Sequence, residues 1–146
     1  MWWVYSATAA VLWGVTYAAS GRLMERGMSP VCLNFCQLLF GALAMGATMV
    51  FTGKVSGFPG ELRALGSDWI WFLAVLLLSA LAGFLIITAI GAKNAPVCAL
   101  IEISYPLFAA LFCWLFFGES HMNWQTCVGA VMIFGGIIVV GLGNAG

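Results

Sequence analysis

Charge is what this sequence lacks. Only 7% of its 146 residues are Asp, Glu, Lys or Arg, against about 25% in an average soluble domain. Five basic and five acidic residues cancel, so composition alone predicts no basic patch to attract phosphate or anionic lipid. Histidine occurs once, as His121. One histidine cannot make a His-Glu-x-x-His zinc site, no Ser-His-Asp set can be drawn, and no Gly-x-x-x-x-Gly-Lys phosphate loop is present. An intramembrane enzyme and an ATP-driven pump are therefore the weakest readings, and no cofactor is implied. What fills the chain is apolar: 64% hydrophobic residues, 14% aromatic ones, and a mean hydropathy of +1.08. A 15.6 kDa water-soluble fold cannot hide that much apolar surface. A soluble globular domain and a disordered chain are excluded, and the class predicted is an all-α integral membrane protein.

Five apolar runs are present, at 2–20, 30–51, 69–90, 96–117 and 123–142. A helix needs about 20 residues to cross the hydrocarbon core, and each run is of that order. Barrel strands alternate every second residue and these runs do not. In lipid the backbone must satisfy its own hydrogen bonds, so five long runs predict five transmembrane helices in one domain spanning 1–146. The first run is expected to be a retained span rather than a cleaved signal, since no basic residue precedes it and Arg22 follows it. The connections are short and rich in turn residues. The loop 91–95 holds Lys93 and Asn94, Pro96 suits a first helical turn, Gly118 reads as a stop, and Ser120 as the cap of the last helix. The stretch from Thr52 to Asp68, with Gly53, Gly57, Pro59, Gly60 and Gly66, reads as a loop. The cysteines, Cys32, Cys36, Cys98, Cys113 and Cys127, all fall in spans and read as small buried hydrophobes. Nothing beside Cys32 and Cys36 completes a metal site.

With five spans the termini lie on opposite sides. Arg22, Arg26 and Lys93 then fall on the C-terminal side, and Lys54 and Arg63 on the N-terminal side. The excess of one basic residue hardly orients the chain. Two explanations stay open. Another signal orients it, or it inserts both ways up and pairs antiparallel, which builds an inverted-repeat transporter from one gene. Trp2, Trp3, Trp69, Trp71 and Trp124 cluster at the N-terminal-side boundary with Trp114 near it, where indole rings anchor at headgroup level. Trp13 alone is deep.

Polar groups inside the spans mark the candidate site. Glu102 lies six residues past Pro96, about 9 Å along a helix. An acid inside a span costs about 2.5–3.5 kcal/mol on insertion scales and usually faces a cavity or a partner. A low dielectric favours its neutral, proton-bound form, which suits a proton or cation switch. A structural carboxyl bonded to a neighbouring helix is the plainer reading. Trp13 and Tyr17 share a face of the first helix, Asn34 and Gln37 a face of the second, and Glu102 and Tyr105 a face of the fourth. Convergence of the three would give a pocket with aromatic walls and one acid, suited to an organic cation, an amine or a zwitterion. Packing and interhelical hydrogen bonds are the ordinary roles of the same residues. Pro106 removes a backbone bond four residues past Glu102 and is a candidate hinge or a simple kink. Ala42 with Gly46, Ser79 with Gly83, and Gly129, Gly135, Gly136 and Gly141 mark close helix packing. His121, beside Glu119, reads as a solvated loop residue.

These motifs, in this order, resemble the EamA domain of the drug/metabolite transporter superfamily. The correspondences are Trp13-Gly14 early in the first helix, Ser29-Pro30 opening the second, Pro106 in the fourth, Gly118-Glu119 closing it, and a glycine-rich last helix. The resemblance covers nearly the whole chain. Two departures stand out. Gln37 occupies a place where many members carry a basic residue, and Tyr105 occupies one where many carry Glu, with Glu102 three residues earlier. Many members look like two such domains fused in opposite orientation. A single domain therefore implies pairing into a homodimer, antiparallel in the sharper reading. The function implied is a secondary transporter of small metabolites or drug-like molecules, working by alternating access in the bacterial plasma membrane, either as a proton-coupled exporter or as a facilitator. The alternative is a non-transporting accessory or assembly subunit. The partners implied are a small-molecule substrate, membrane lipid and a second copy of the chain, with no nucleic acid.

Overall fold

The structure, a computed structural model, describes residues 1–119 and 123–144. Its helices in chain order are α1 (Trp2–Glu25), α2 (Pro30–Phe51), α3 (Phe58–Ala64), α4 (Trp69–Ala92), α5 (Ala95–Glu102), α6 (Tyr105–Phe117) and α7 (Trp124–Gly143). Short 3-10 turns, Lys54–Ser56 and Gly66–Asp68, flank α3. No strand occurs among the described residues.

Local chemistry explains most boundaries. The Ser29 hydroxyl accepts from the Cys32 N–H at 3.2 Å, and Pro30 supplies a first-turn residue with no N–H to satisfy. Asn94 repeats the device for α5, accepting from Val97 N–H at 3.0 Å. Gly118 ends α6 at φ +68°, a left-handed conformation that favours glycine. The α7 cap is Asn123, whose Oδ1 accepts from the N–H and the hydroxyl of Thr126, both at 2.8 Å. Ser120, expected in that role, lies outside the described residues, as does His121.

Three features differ from the sequence-based expectation. First, α1 and α4 run past 20 and 90, to Glu25 and Ala92. An Arg22–Glu25 ion pair at 3.1 Å supports the extra turn of α1 at i,i+3 spacing. Second, the stretch read as a loop contains α3, which begins with Phe58-Pro59. Phe58, Leu62 and Leu65 give it an apolar edge at i, i+4 and i+7. Third, the run 96–117 is not one helix: α5 stops at Glu102, Ile103 and Ser104 form a turn, and α6 restarts at Tyr105. Pro106 accordingly sits in the first turn of α6 rather than mid-helix.

Four segments are long and apolar enough to cross a membrane: Pro30–Phe51, Gly66–Ala92, Ala95–Phe117 taken across the turn, and Trp124–Gly143. The remaining long helix, α1, has 24 residues but is more polar, with Ser6, Thr8, Thr16, Tyr17, Ser20, Arg22 and Glu25. Contacts at both ends fit an up-and-down arrangement. At one end the Trp71 ring of α4 lies 5.4 Å from Phe116 and 5.0 Å from Phe117 of α6. At the other, Lys93 donates to the Asn144 carbonyl at 3.3 Å, joining the ends of α4 and α7.

The protein core is thin. Among the described residues only Leu33, Ile87, Ile90, Cys98 and Ser20 are buried. The accessible surface is 11051 Å², whereas a compact soluble chain of this mass exposes roughly 7,200 Å². Of the cysteines only Cys98 is buried; Cys32, Cys36 and Cys127 are exposed, so their surroundings differ from the buried positions expected of them. The surplus surface is apolar, which is what lipid as a solvent requires.

Candidate transport site

The α1–α5 seam is built from small residues. On α1, Ser20 is almost fully buried, and a methyl on Gly21 would stand 3.6 Å from Ile90 Cγ2 and 3.7 Å from Ala95 Cβ. On α5, Ala95, Cys98 and Glu102 follow one another at i, i+3 and i+7 and share a face, with Cys98 buried. Tyr17 shares its face with Ser20 and Gly21, so packing of this seam aims Tyr17 at the end of α5.

There the two polar groups meet. The Tyr17 hydroxyl donates to Glu102 Oε2 at 2.6 Å, within a half-buried setting. The distance is at the short end for a hydroxyl-to-oxygen hydrogen bond. Trp13, one turn back, packs its ring against Tyr17 with centroids 5.4 Å apart and planes inclined by 45°. Glu102 is also the last residue of α5, directly before the turn. Pro106 has no N–H to return to the Glu102 carbonyl, which would be its partner in a continuous helix. Carboxylate, ring pair and helix break thus occupy one level of the molecule.

The other expected members are placed differently. Asn34 and Gln37 are half-buried on α2, which packs mainly on α4. A methyl on Gly83 of α4 would come within 3.3 Å of Asn34 Oδ1. Among the described residues neither amide hydrogen-bonds to the Tyr17–Glu102 pair. Tyr105 opens α6 with two-thirds of its surface exposed. Ile103 and Ser104 keep right-handed helical dihedrals through the turn, and Tyr105 stays near enough to Tyr17 to interact with it electrostatically. Of the six residues expected in one layer, Tyr17 thus touches both Glu102 and Trp13, and Asn34 faces Gly83 of α4.

A family model for the EamA-like transporter family matches residues 1–142, nearly the entire chain. This chain belongs to the EamA-like transporter family. It is thus a multi-pass membrane protein of a transporter family, as Trp13-Gly14, Ser29-Pro30 and Gly118-Glu119 implied. No curated protein and no solved structure matches it. In this EamA-like protein the least expected feature of the site is the turn at Ile103–Ser104. Its sequence signal is Ser104-x-Pro106, the same pattern as Asn94-x-Pro96 at the start of α5.

Proposed function

We propose that this EamA-like protein is a secondary transporter of small metabolites or drug-like molecules, in which Glu102 binds a proton and the cargo in alternation. The observation that carries the proposal is the 2.6 Å bond from Tyr17 to Glu102 at a break in a membrane-spanning helix. Irregular backbone at membrane depth is tolerated where protein or a water-lined cavity covers it, and an intramembrane acid has the same requirement. Discontinuous helices with exposed backbone are the usual setting of transporter binding sites. Tyr17 engages one of the two carboxylate oxygens and leaves Oε1 for a proton or for a cationic group of the cargo. Trp13 and Tyr17 supply aromatic faces suited to an amine or organic cation. Tyr105, Asn34 and Gln37 would join the site from the other elements in a second conformation, and Pro106 would mark the hinge.

In this reading α1 is a fifth span, since Tyr17 must reach the depth of Glu102. Two copies, antiparallel, complete the pathway in the bacterial plasma membrane. The large apolar surface supports a second copy, as does α7, where methyl groups on Gly129, Gly135, Gly136 and Gly141 would meet nothing within 4 Å. Neither catalysis nor a bound cofactor is part of the mechanism.

Reconstitution into liposomes tests it. With an imposed pH gradient, uptake of a probe set comprising tetraphenylphosphonium, aliphatic amines and amino acids is expected to include at least one gradient-driven substrate. Glu102→Gln should abolish that gradient dependence while the oligomer persists. Unaltered gradient-driven uptake by Glu102→Gln removes the proton role, and absence of uptake across the whole set favours the accessory-subunit reading. Labelling of cysteines introduced at Lys54 and Lys93 should occur from both membrane faces if the copies are antiparallel. Labelling of each from one face only refutes that arrangement.

A further inference from the structure

A cleft of about 450 Å³ opens between the C-terminal ends of α1 and α4 and the start of α5. It lies at the end of the spans opposite the Trp71 cluster, where the apolar segments give way to charge. Its mouth carries Arg22 and Glu25 from α1 and Lys93 and Asn94 from the α4–α5 turn, and Ala18 and Ile90 line the apolar wall. The volume falls within the ~300–1,000 Å³ of ordinary ligand sites.

The polar lining has unspent donors. Arg22 gives one N–H to Glu25 at 3.1 Å, and a guanidinium has about five. Lys93 gives one N–H to the Asn144 carbonyl at 3.3 Å, and an ammonium has about three. Glu25 is offset by Arg22 beside it, so Lys93 leaves the mouth with a net positive charge. Two cations from separate elements facing one opening suit an acceptor with several oxygens. The level is that of lipid headgroups, where phosphate is the abundant anion and basic pockets between spans recruit it.

We propose that this cleft is a phosphate-binding site in which Arg22 and Lys93 hold one phosphate group at the membrane surface. A phospholipid headgroup and a soluble phosphate monoester carry that chemistry alike. The apolar wall would receive the glycerol and ester portion of a lipid. The site does not include Glu102, so it stands whether or not the proton exchange proposed above does.

The test uses the full chain in dodecylmaltoside micelles, with binding read by native mass spectrometry. Dioleoylphosphatidylglycerol is expected to be retained, and dioleoylglycerol, which has the same chains without phosphate, is not. Lys93→Gln should weaken phospholipid binding about tenfold or more, the usual loss for a charge-assisted hydrogen bond, and Lys93→Arg should restore it. Lys54→Gln, at the opposite membrane face, should leave binding unchanged, and an unchanged far-ultraviolet spectrum shows that each variant is folded. Competition by glycerol 3-phosphate would identify a soluble monoester as a ligand of the site, and its failure to compete would identify the lipid headgroup. Equal retention of phosphatidylglycerol and dioleoylglycerol, or wild-type binding by both Lys93→Gln and Arg22→Gln, overturns the proposal.

Discussion

Removing a single oxygen at Tyr17 isolates the interaction on which the candidate site is built. Tyr17→Phe deletes the hydroxyl that donates to Glu102 at 2.6 Å and keeps the ring that packs 5.4 Å from Trp13, so aromatic packing is preserved. Two magnitudes bear on the outcome. A hydrogen bond to a charged group contributes about 1.5–3 kcal/mol in soluble proteins. Measured interhelical bonds in a membrane protein average about 0.6 kcal/mol and reach about 1.7. The short distance and the half-buried setting argue for the upper part of the membrane range, and partial exposure argues against the soluble maximum. The expected coupling is about 1–1.7 kcal/mol. A double-mutant cycle with Glu102→Met, which replaces the acid by an apolar side chain of similar length, removes the cost of burying the acid from the comparison. The assay is reversible unfolding in mixed micelles, followed by helical circular dichroism. Tyr17→Phe should destabilise the wild type by about 1–1.7 kcal/mol and the Glu102→Met background by a few tenths at most. A coupling below about 0.3 kcal/mol, within the usual error of additivity, would refute the claim that the pair joins α1 to α5.

Two other perturbations probe the packing and the break. A methyl on Gly91 would stand 3.0 Å from Met24 Sδ and 3.8 Å from Pro30 Cγ; Gly91→Ala should be nearly neutral because the flexible Met24 end can shift. Gly91→Val should cost about 1–3 kcal/mol by overpacking in the same unfolding assay. Pro106→Ala returns an N–H opposite the Glu102 carbonyl and should let α5 and α6 join. Amide exchange across 103–107 is expected to slow by about tenfold, equivalent to one added hydrogen bond, and unchanged exchange would show that the turn does not depend on the proline.

Much of the fold was legible because lipid leaves few options. The second span was read at 30–51 and α2 occupies those residues, since Ser29-Pro30 is a complete start signal and the apolar run is uninterrupted. The errors share one physical origin. All four prolines, Pro30, Pro59, Pro96 and Pro106, lie in the first turn of a helix. The two treated as starts located α2 and α5. Pro59, treated as part of a loop, concealed α3, and Pro106, treated as a mid-helix kink, concealed the turn before α6. Hydropathy could not help at Ile103–Ser104, because an apolar average is insensitive to a two-residue break. Within the candidate site, Trp13 with Tyr17 was legible because i and i+4 fix neighbours on one helix. Contact of Tyr17 with Glu102, 85 positions apart, depends on how α1 and α5 cross. That crossing is set by Gly21, Ala95 and Cys98, small residues whose spacing signals close approach without naming the partner helix.

The position of Glu102 follows from two requirements that coincide. An acid needs hydrogen-bonding company at membrane depth, and so does a carbonyl left without its helical donor. Separating them along the chain would demand two polar neighbourhoods where only five of the described residues are buried. Placing the acid at the last position of α5 lets one neighbourhood serve both. Tyr17 meets one carboxylate oxygen, Oε2. In the transport reading proposed above, this asymmetry leaves one donor to hold the acid in place and one carboxylate oxygen over which proton and cargo would compete.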